Sequence, residues 1–227
     1  MRCSPAATLL LIALLTGSTV GCSQGGLGQV PIHQLNLNDR GPARRPGEAN
    51  PARARYADEP RVKHARQWRY IVIHHSATVG GNAEMFDRLH RGPQFGFDEL
   101  GYHFLITNGD GGPDGAVEAG SRWHKQKWGA HCGGTPGNEY NNYGIGICLV
   151  GDFSRRMPTG AQVASLRKLV LELMAAYNVP AENVIAHREA PTASTECPGD
   201  VFYTYVAGTF RTEIGRQLAA AGMGQTP

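Results

Sequence analysis

Residues 70–78 read YIVIHHSAT, and residues 184–200 read VIAHREAPTASTECPGD. Each stretch opens with a short apolar run and reaches a histidine. Tyr70-Ile71-Val72-Ile73 has no polar face and is rich in β-branched residues, the pattern of a strand buried on both sides. Val184-Ile185-Ala186 is a second such run. Histidines at the ends of buried strands can converge without bending the strands. Imidazole and thiolate are the ligands zinc prefers, and three protein ligands with the fourth position open is the catalytic arrangement. The residues therefore point to a zinc hydrolase site built from His74 or its neighbour His75, with His187 and Cys197. The alternation along the first strand does not decide between His74 and His75, because both of its faces are apolar.

Working outward, the remaining elements alternate between strand and helix patterns. Asn82 is placed to cap a short helix over 83–90, with Phe86 and Leu89 inward. Residues 102–107, YHFLIT, read as a strand. NGDGGPDG is a turn by composition, and 116–119 return as a hairpin strand. Residues 120–143 read as a long polar, glycine-rich loop holding Trp123, Trp128 and His131, a binding wall beside a rigid sheet. The two tryptophans suit either sugar stacking or the core. Residues 145–150 are a third core strand. Thr159 and Gln162 stand at capping-box spacing, and Val163, Leu166, Leu169, Val170, Leu173 and Tyr177 form one buried stripe. Asn178 and Pro180 close that helix. Residues 202–218 read as the last helix, docking Tyr205, Val206 and Phe210. The fold class that follows is α/β, a mixed central β-sheet flanked by helices.

At this point the pieces IHHSAT, GYHFLI, NNYGIGICLVGDF and AHRE…TECPGD, in that order, resemble the N-acetylmuramoyl-L-alanine amidase type 2 family. That family includes the peptidoglycan recognition proteins and the phage amidases called lysozymes. The resemblance runs over residues 67–210. It implies an amidase domain with Zn2+ that cleaves the amide between N-acetylmuramic acid and L-alanine of peptidoglycan. It selects His74 as first ligand, since the family's ligand directly follows the apolar run, with His187 and Cys197 as the others. It implies that Tyr102, after Gly101, is the catalytic tyrosine, a phenol that donates to an oxyanion without carrying charge. Thr195 falls where the family holds lysine or threonine beside the metal; lacking positive charge, it is expected to act by hydrogen bonding. Cys148 stands where some amidases of this superfamily carry a glutamate, so no carboxylate base is assigned. His131, in GAHCGG, resembles a segment at the groove rim and is expected to bind substrate, together with Asn142 and Arg122. The rival reading is a peptidoglycan-binding receptor on the same fold without hydrolysis; a Cys–His hydrolase with Cys197 as nucleophile is weaker, because no asparagine or aspartate partner is evident.

The chain has 227 residues with 41% hydrophobic residues, enough for one domain with a real core plus extensions. Five cysteines are too few for a disulfide scaffold. Cys132 and Cys148 either pair or stay as small buried thiols, burial being the default for Cys148 in its apolar run. The net charge of +3 is uneven: residues 40–69 hold nine basic and three acidic residues, residues 70–227 twelve and fifteen. The basic stretch lies outside the folded part, which argues against nucleic-acid binding. Residues 1–22 read as an export signal, too short in its apolar stretch to span a bilayer. It ends in Thr19-Val20-Gly21-Cys22, which resembles a bacterial lipoprotein cleavage box with Cys22 as lipid anchor; simple cleavage and secretion is the alternative. Residues 23–66 read as a flexible Pro/Gly/Arg-rich linker, 67–220 as the zinc amidase domain and 221–227 as a tail. The expectation is an exported monomer of the cell envelope, membrane-anchored or periplasmic or secreted.

Overall fold

A computed structural model describes residues 66–221. The export signal, the Cys22 anchor, the linker up to residue 65 and the tail from residue 222 lie outside the described residues. Within them, five strands and six α-helices follow in order: β1 (Tyr70–His75), α1 (Ala83–Arg91), β2 (Phe104–Ile106), β3 (Val117–Ala119), α2 (Ser121–His124), α3 (Glu139–Tyr143), β4 (Gly144–Leu149), α4 (Gly160–Tyr177), β5 (Val184–Ala186), α5 (Asp200–Tyr205) and α6 (Arg211–Ala220). No helix among the described residues is long and apolar enough to cross a membrane.

The strands form one mixed sheet in the order β3-β2-β4-β1-β5. β2, β4, β1 and β5 are parallel, and β3 closes one edge as an antiparallel hairpin with β2. The apolar run of β1 is thus central, flanked by β4 and β5, which is why Ile71, Val72 and Ile73 are all fully buried. Alternation sorts the two faces. Ile71, Ile73, Ile145, Ile147, Leu149, Phe104 and Ile106 pack with Leu166, Leu169, Val170, Phe202 and Phe210 from the helices. Leu105, Cys148 and Val150 face the other way, against Phe86 of α1, Leu100 and Tyr102. By the same parity Val72 and His74 belong with this second, thinner layer, whereas His75 belongs with the first.

Helix α4 keeps its capping box: the Thr159 side chain accepts from Gln162 N, and Gln162 Oε1 accepts from Thr159 N. Its far end stops at Asn178, left-handed at φ 55°, where a short polar side chain is tolerated. The buried surface is wider than a stripe: residues 169–176 are all buried, because α4 is covered by the sheet on one side and by α6 on another. Gln162 is itself buried and donates to the carbonyls of Ile106 and Val150, tying the helix start to the sheet.

Four expectations need correction, and one open alternative is decided. Leu89 points outward at 40% exposure, and His90 takes the inward position on α1. The strand over 102–107 shortens to β2, since Tyr102 and His103 turn into the site layer. Residues 120–143 are not an unstructured loop but contain α2, a 3-10 turn and α3. The final helix runs from Asp200 to Ala220 with a π-helical segment at Val206–Phe210. Cys132 and Cys148 do not pair; both are free, buried thiols.

Candidate metal centre and catalytic site

The parallel register delivers the donors to one end of the sheet. Ala186 pairs with Ile73, so the next residue on each strand, His187 and His74, stand side by side with rings 4.6 Å apart. The chain then turns through a 3-10 segment, His187–Glu189, and comes back along 190–197 to the same place. Arg188 pins this return: it donates to the carbonyls of Glu196 and Cys197, pairs with Asp200 and lies over the Tyr203 ring. The Cys197 sulfur ends 3.7 Å from His74 Nδ1 and accepts from the backbone N–H of His75 at 3.4 Å. Among the described residues, His74, His187 and Cys197 form a group whose ligand atoms lie within 4.8 Å of one another. His75 is on the other face, near Phe153, whose N–H it accepts at Nδ1.

The electrostatics suit a cation that takes neutral nitrogen and sulfur. Burial lowers His74 well below the usual imidazole range, with His187, His131, His75 and His103 adding repulsion. Burial takes His187 down to about 4. Both rings are therefore neutral and able to give a lone pair at neutral pH. Burial pushes the Cys197 thiol up to about 12, against the pull of the His75 amide and Arg188. A proton must leave that sulfur when a metal takes it. One buried and one half-buried imidazole with one thiol, and no carboxylate in the group, fit zinc by the chemistry of the donor set.

Tyr102 stands beside these donors, its ring 5.2 Å from His74. It packs against the buried layer that holds Cys148 on β4, whose sulfur lies beside its hydroxyl. Burial, then the nearby Cys148 and Cys197, raise the phenol well above its usual value, so it stays a donor. Cys148 is fully buried and held as a thiol. Thr195 is half-buried, and its hydroxyl oxygen accepts from Cys197 N at 3.1 Å, fixing the donor loop.

Of the three residues expected to bind substrate, two are buried and one is half-buried. His131 is buried at 8% exposure behind the metal group, with Nδ1 3.1 Å from His74 Nε2. Arg122 is buried at 2% and spends its guanidinium on Leu100 O, Trp128 O and Asp98, which makes it a bracket for the loops. Asn142 is half-buried; its amide donates to Gly137 O and its carbonyl accepts from Arg66, again a loop contact. Trp123 is in the core, while Trp128 is half-exposed. Asn141, beside Asn142 and expected with it to hydrogen-bond substrate, accepts at Oδ1 from both His131 N and Cys132 N. The sequence reading missed His90, whose Nδ1 accepts from Gly101 N immediately before Tyr102.

Comparison with known proteins bears on the family and the fold. The family model described as N-acetylmuramoyl-L-alanine amidase matches residues 64–200. The N-acetylmuramoyl-L-alanine amidase of Sus scrofa is 28% identical over 147 residues, covering 59% of this chain and 22% of its own length. Peptidoglycan-recognition protein 1 of Holotrichia diomphalia is 32% identical over 142 residues, covering 59% of this chain and 64% of its own. The chain thus spans about a fifth of the pig enzyme and under two thirds of the beetle protein. Among solved structures, N-acetylmuramoyl-L-alanine amidase LysC from Clostridium intestinale superposes with a TM-score of 0.53 at 28% identity, over 68% of this chain and 87% of that one. With more than half of its length matched to the family model, the chain belongs to the N-acetylmuramoyl-L-alanine amidase family.

Proposed function

We propose that this chain is a zinc-dependent hydrolase that cleaves the amide between N-acetylmuramic acid and L-alanine in peptidoglycan, and that it works outside the cytoplasm. The observation that carries the reading is the convergence of His74, His187 and Cys197 beside a protonated, buried-edge phenol, Tyr102. Two neutral imidazoles and a thiolate would hold the ion. When bound, zinc supplies Lewis acidity toward the amide carbonyl and toward water. Everything else falls to the chain. Tyr102 offers an O–H donor to the oxygen that becomes negative as the amide carbon turns tetrahedral. The Cys148 sulfur and the His90–Gly101 bond fix where that hydroxyl starts from. Thr195 keeps one hydroxyl hydrogen free while its oxygen holds the Cys197 amide. Among the described residues no carboxylate joins the His74, His187 and Cys197 group; with Cys197 given up to the ion as a thiolate, the hydroxyl protons beside the group are those of Tyr102 and Thr195.

The relatives also include proteins named for peptidoglycan recognition, which makes a non-hydrolytic receptor the second reading. One experiment separates the two. The purified protein is incubated with peptidoglycan, the soluble fragments are weighed by mass spectrometry, and zinc is measured in the same sample. Free stem peptides and about one zinc per chain support the amidase. Cys197→Ala is expected to lose the zinc and the release together, since two imidazoles alone under-coordinate the ion. A zinc-loaded, folded wild type that binds peptidoglycan and releases no peptide would move the assignment to the receptor; full zinc in Cys197→Ala would remove that residue from the ligand set.

A further inference from the structure

Behind the metal group lies a histidine with a more specific job than substrate contact. His131 is buried, and each of its three nitrogens has a partner. Its Nε2 is 3.2 Å from the carbonyl of Gly144, its Nδ1 is 3.1 Å from His74 Nε2, and its backbone N–H donates to Asn141 Oδ1 at 2.8 Å. A carbonyl can only accept, so the proton of the neutral His131 ring sits on Nε2. Its Nδ1 is then an acceptor, and the proton between the two histidines must belong to His74 Nε2. The other nitrogen of His74, Nδ1, keeps its lone pair, and this is the nitrogen 3.7 Å from the Cys197 sulfur.

We infer that His131 is a positioning residue for His74: through the Gly144 carbonyl it fixes the tautomer and the ring plane, so that Nδ1 is the atom presented to the metal. The inference rests on the zinc reading above. The surroundings are built for it. Gly146 on β4 and Gly129 have no side chain where the His131 ring lies; a Cβ at Gly146 would stand 2.4 Å from its Cδ2, and one at Gly129 2.3 Å from the same atom. The neighbouring His103 is locked separately, accepting from Gly146 N at Nδ1 and donating from Nε2 to Lys127 O, so it does not compete for the pair.

The test uses the tautomer itself. Long-range proton–nitrogen correlation spectra of the metal-free protein are expected to show His74 and His131 both protonated at Nε2; a His74 protonated at Nδ1 overturns the inference. Cobalt titration of the full chain then reads the consequence. His131→Leu is expected to bind cobalt about 10- to 100-fold more weakly, the usual loss for an outer partner of a metal-binding histidine. His131→Asn, whose amide oxygen stands near the position of Nδ1, is expected to recover most of that loss. Gly146→Ala keeps His131 but drives its ring aside, and is expected to weaken cobalt binding like His131→Leu. It serves as the second variant should His131→Leu fail to fold. Wild-type cobalt affinity in folded His131→Leu or Gly146→Ala protein overturns the inference. A wild type that takes up no cobalt overturns the zinc reading instead, and a His74 protonated at Nε2 in that same sample would leave the histidine pair standing.

Discussion

The Tyr102 hydroxyl is the single atom on which the hydrolytic reading depends most. Tyr102→Phe keeps the ring against His74 and His90 and removes only the donor. If the hydroxyl meets the oxyanion, the bond is stronger in the transition state than in the ground state, so kcat falls and KM stays. The expected drop is about 100- to 1,000-fold, with zinc content unchanged. Near-normal turnover in a folded, zinc-loaded variant would take Tyr102 out of the mechanism. The residue types of the site were readable in the sequence, because strand ends, a Cys-Pro-Gly turn and a Gly-Tyr pair are local signals. Depth was not. His131 and Arg122 carry polar side chains in a glycine-rich segment, which locally resembles a groove wall, yet both are buried by chains more than ten residues away. One signal did point to His131: Gly146 interrupts the apolar alternation of Ile145 and Ile147, and a glycine inside a strand marks something close by.

At the scale of the element, α4 carries the far layer of the core, and its start is set by one reciprocal pair of hydrogen bonds between Thr159 and Gln162. Thr159 also donates to Asp114, which joins the helix start to the β2–β3 turn. Thr159→Ala is expected to lower stability by about 1 kcal/mol, read as a shift in the urea midpoint, with cobalt or zinc affinity unchanged. A change in metal affinity would mean that the cap reaches the site. This helix was fully legible in advance because its cap, its period and its stop all lie within 20 residues of one another. β1 was legible as a strand for the same reason. Which of its two histidines faces the metal was not, since parity assigns a face only once the two layers are known, and Val72 and Ile73 are equally apolar. Helix α1 misled for a related reason: Leu89 suits a core, but the inward place on that turn belongs to His90, which holds the Gly101 amide.

Across the whole molecule the loops around the site are held by a small ionic network. Glu99 is buried and takes bonds from Ser121, Lys125 and Lys127, while Asp98 takes Arg122 and Lys127. Burial alone would raise the Glu99 carboxyl, but Lys125, Ser121 and Lys127 outweigh it and bring it to about 2. A carboxylate lowered on folding contributes its full stability above its unfolded value near 4.5 and loses it as the pH falls toward 2. Glu99→Gln is therefore expected to be less stable at neutral pH by about 1.5–3 kcal/mol, and to converge on the wild type as the pH drops through that window. Urea midpoints for the two proteins between pH 7 and pH 2 check this; a gap that stays constant over the range would contradict it. The strand order has a consequence for how the molecule comes into being. Of the described strands β1 is made first and ends inside the sheet, but β4, on one of its sides, follows about 70 residues later and β5, on the other, more than 100 later. Until both arrive, its two edges and its apolar run have no partners, and the sulfur that completes the ligand set is made last of all. A partly synthesised or partly unfolded chain is thus sticky and lacks the full donor set. On the proposed zinc reading, loading of the ion would report that β5 has closed, a seal on a finished fold and not a template for one.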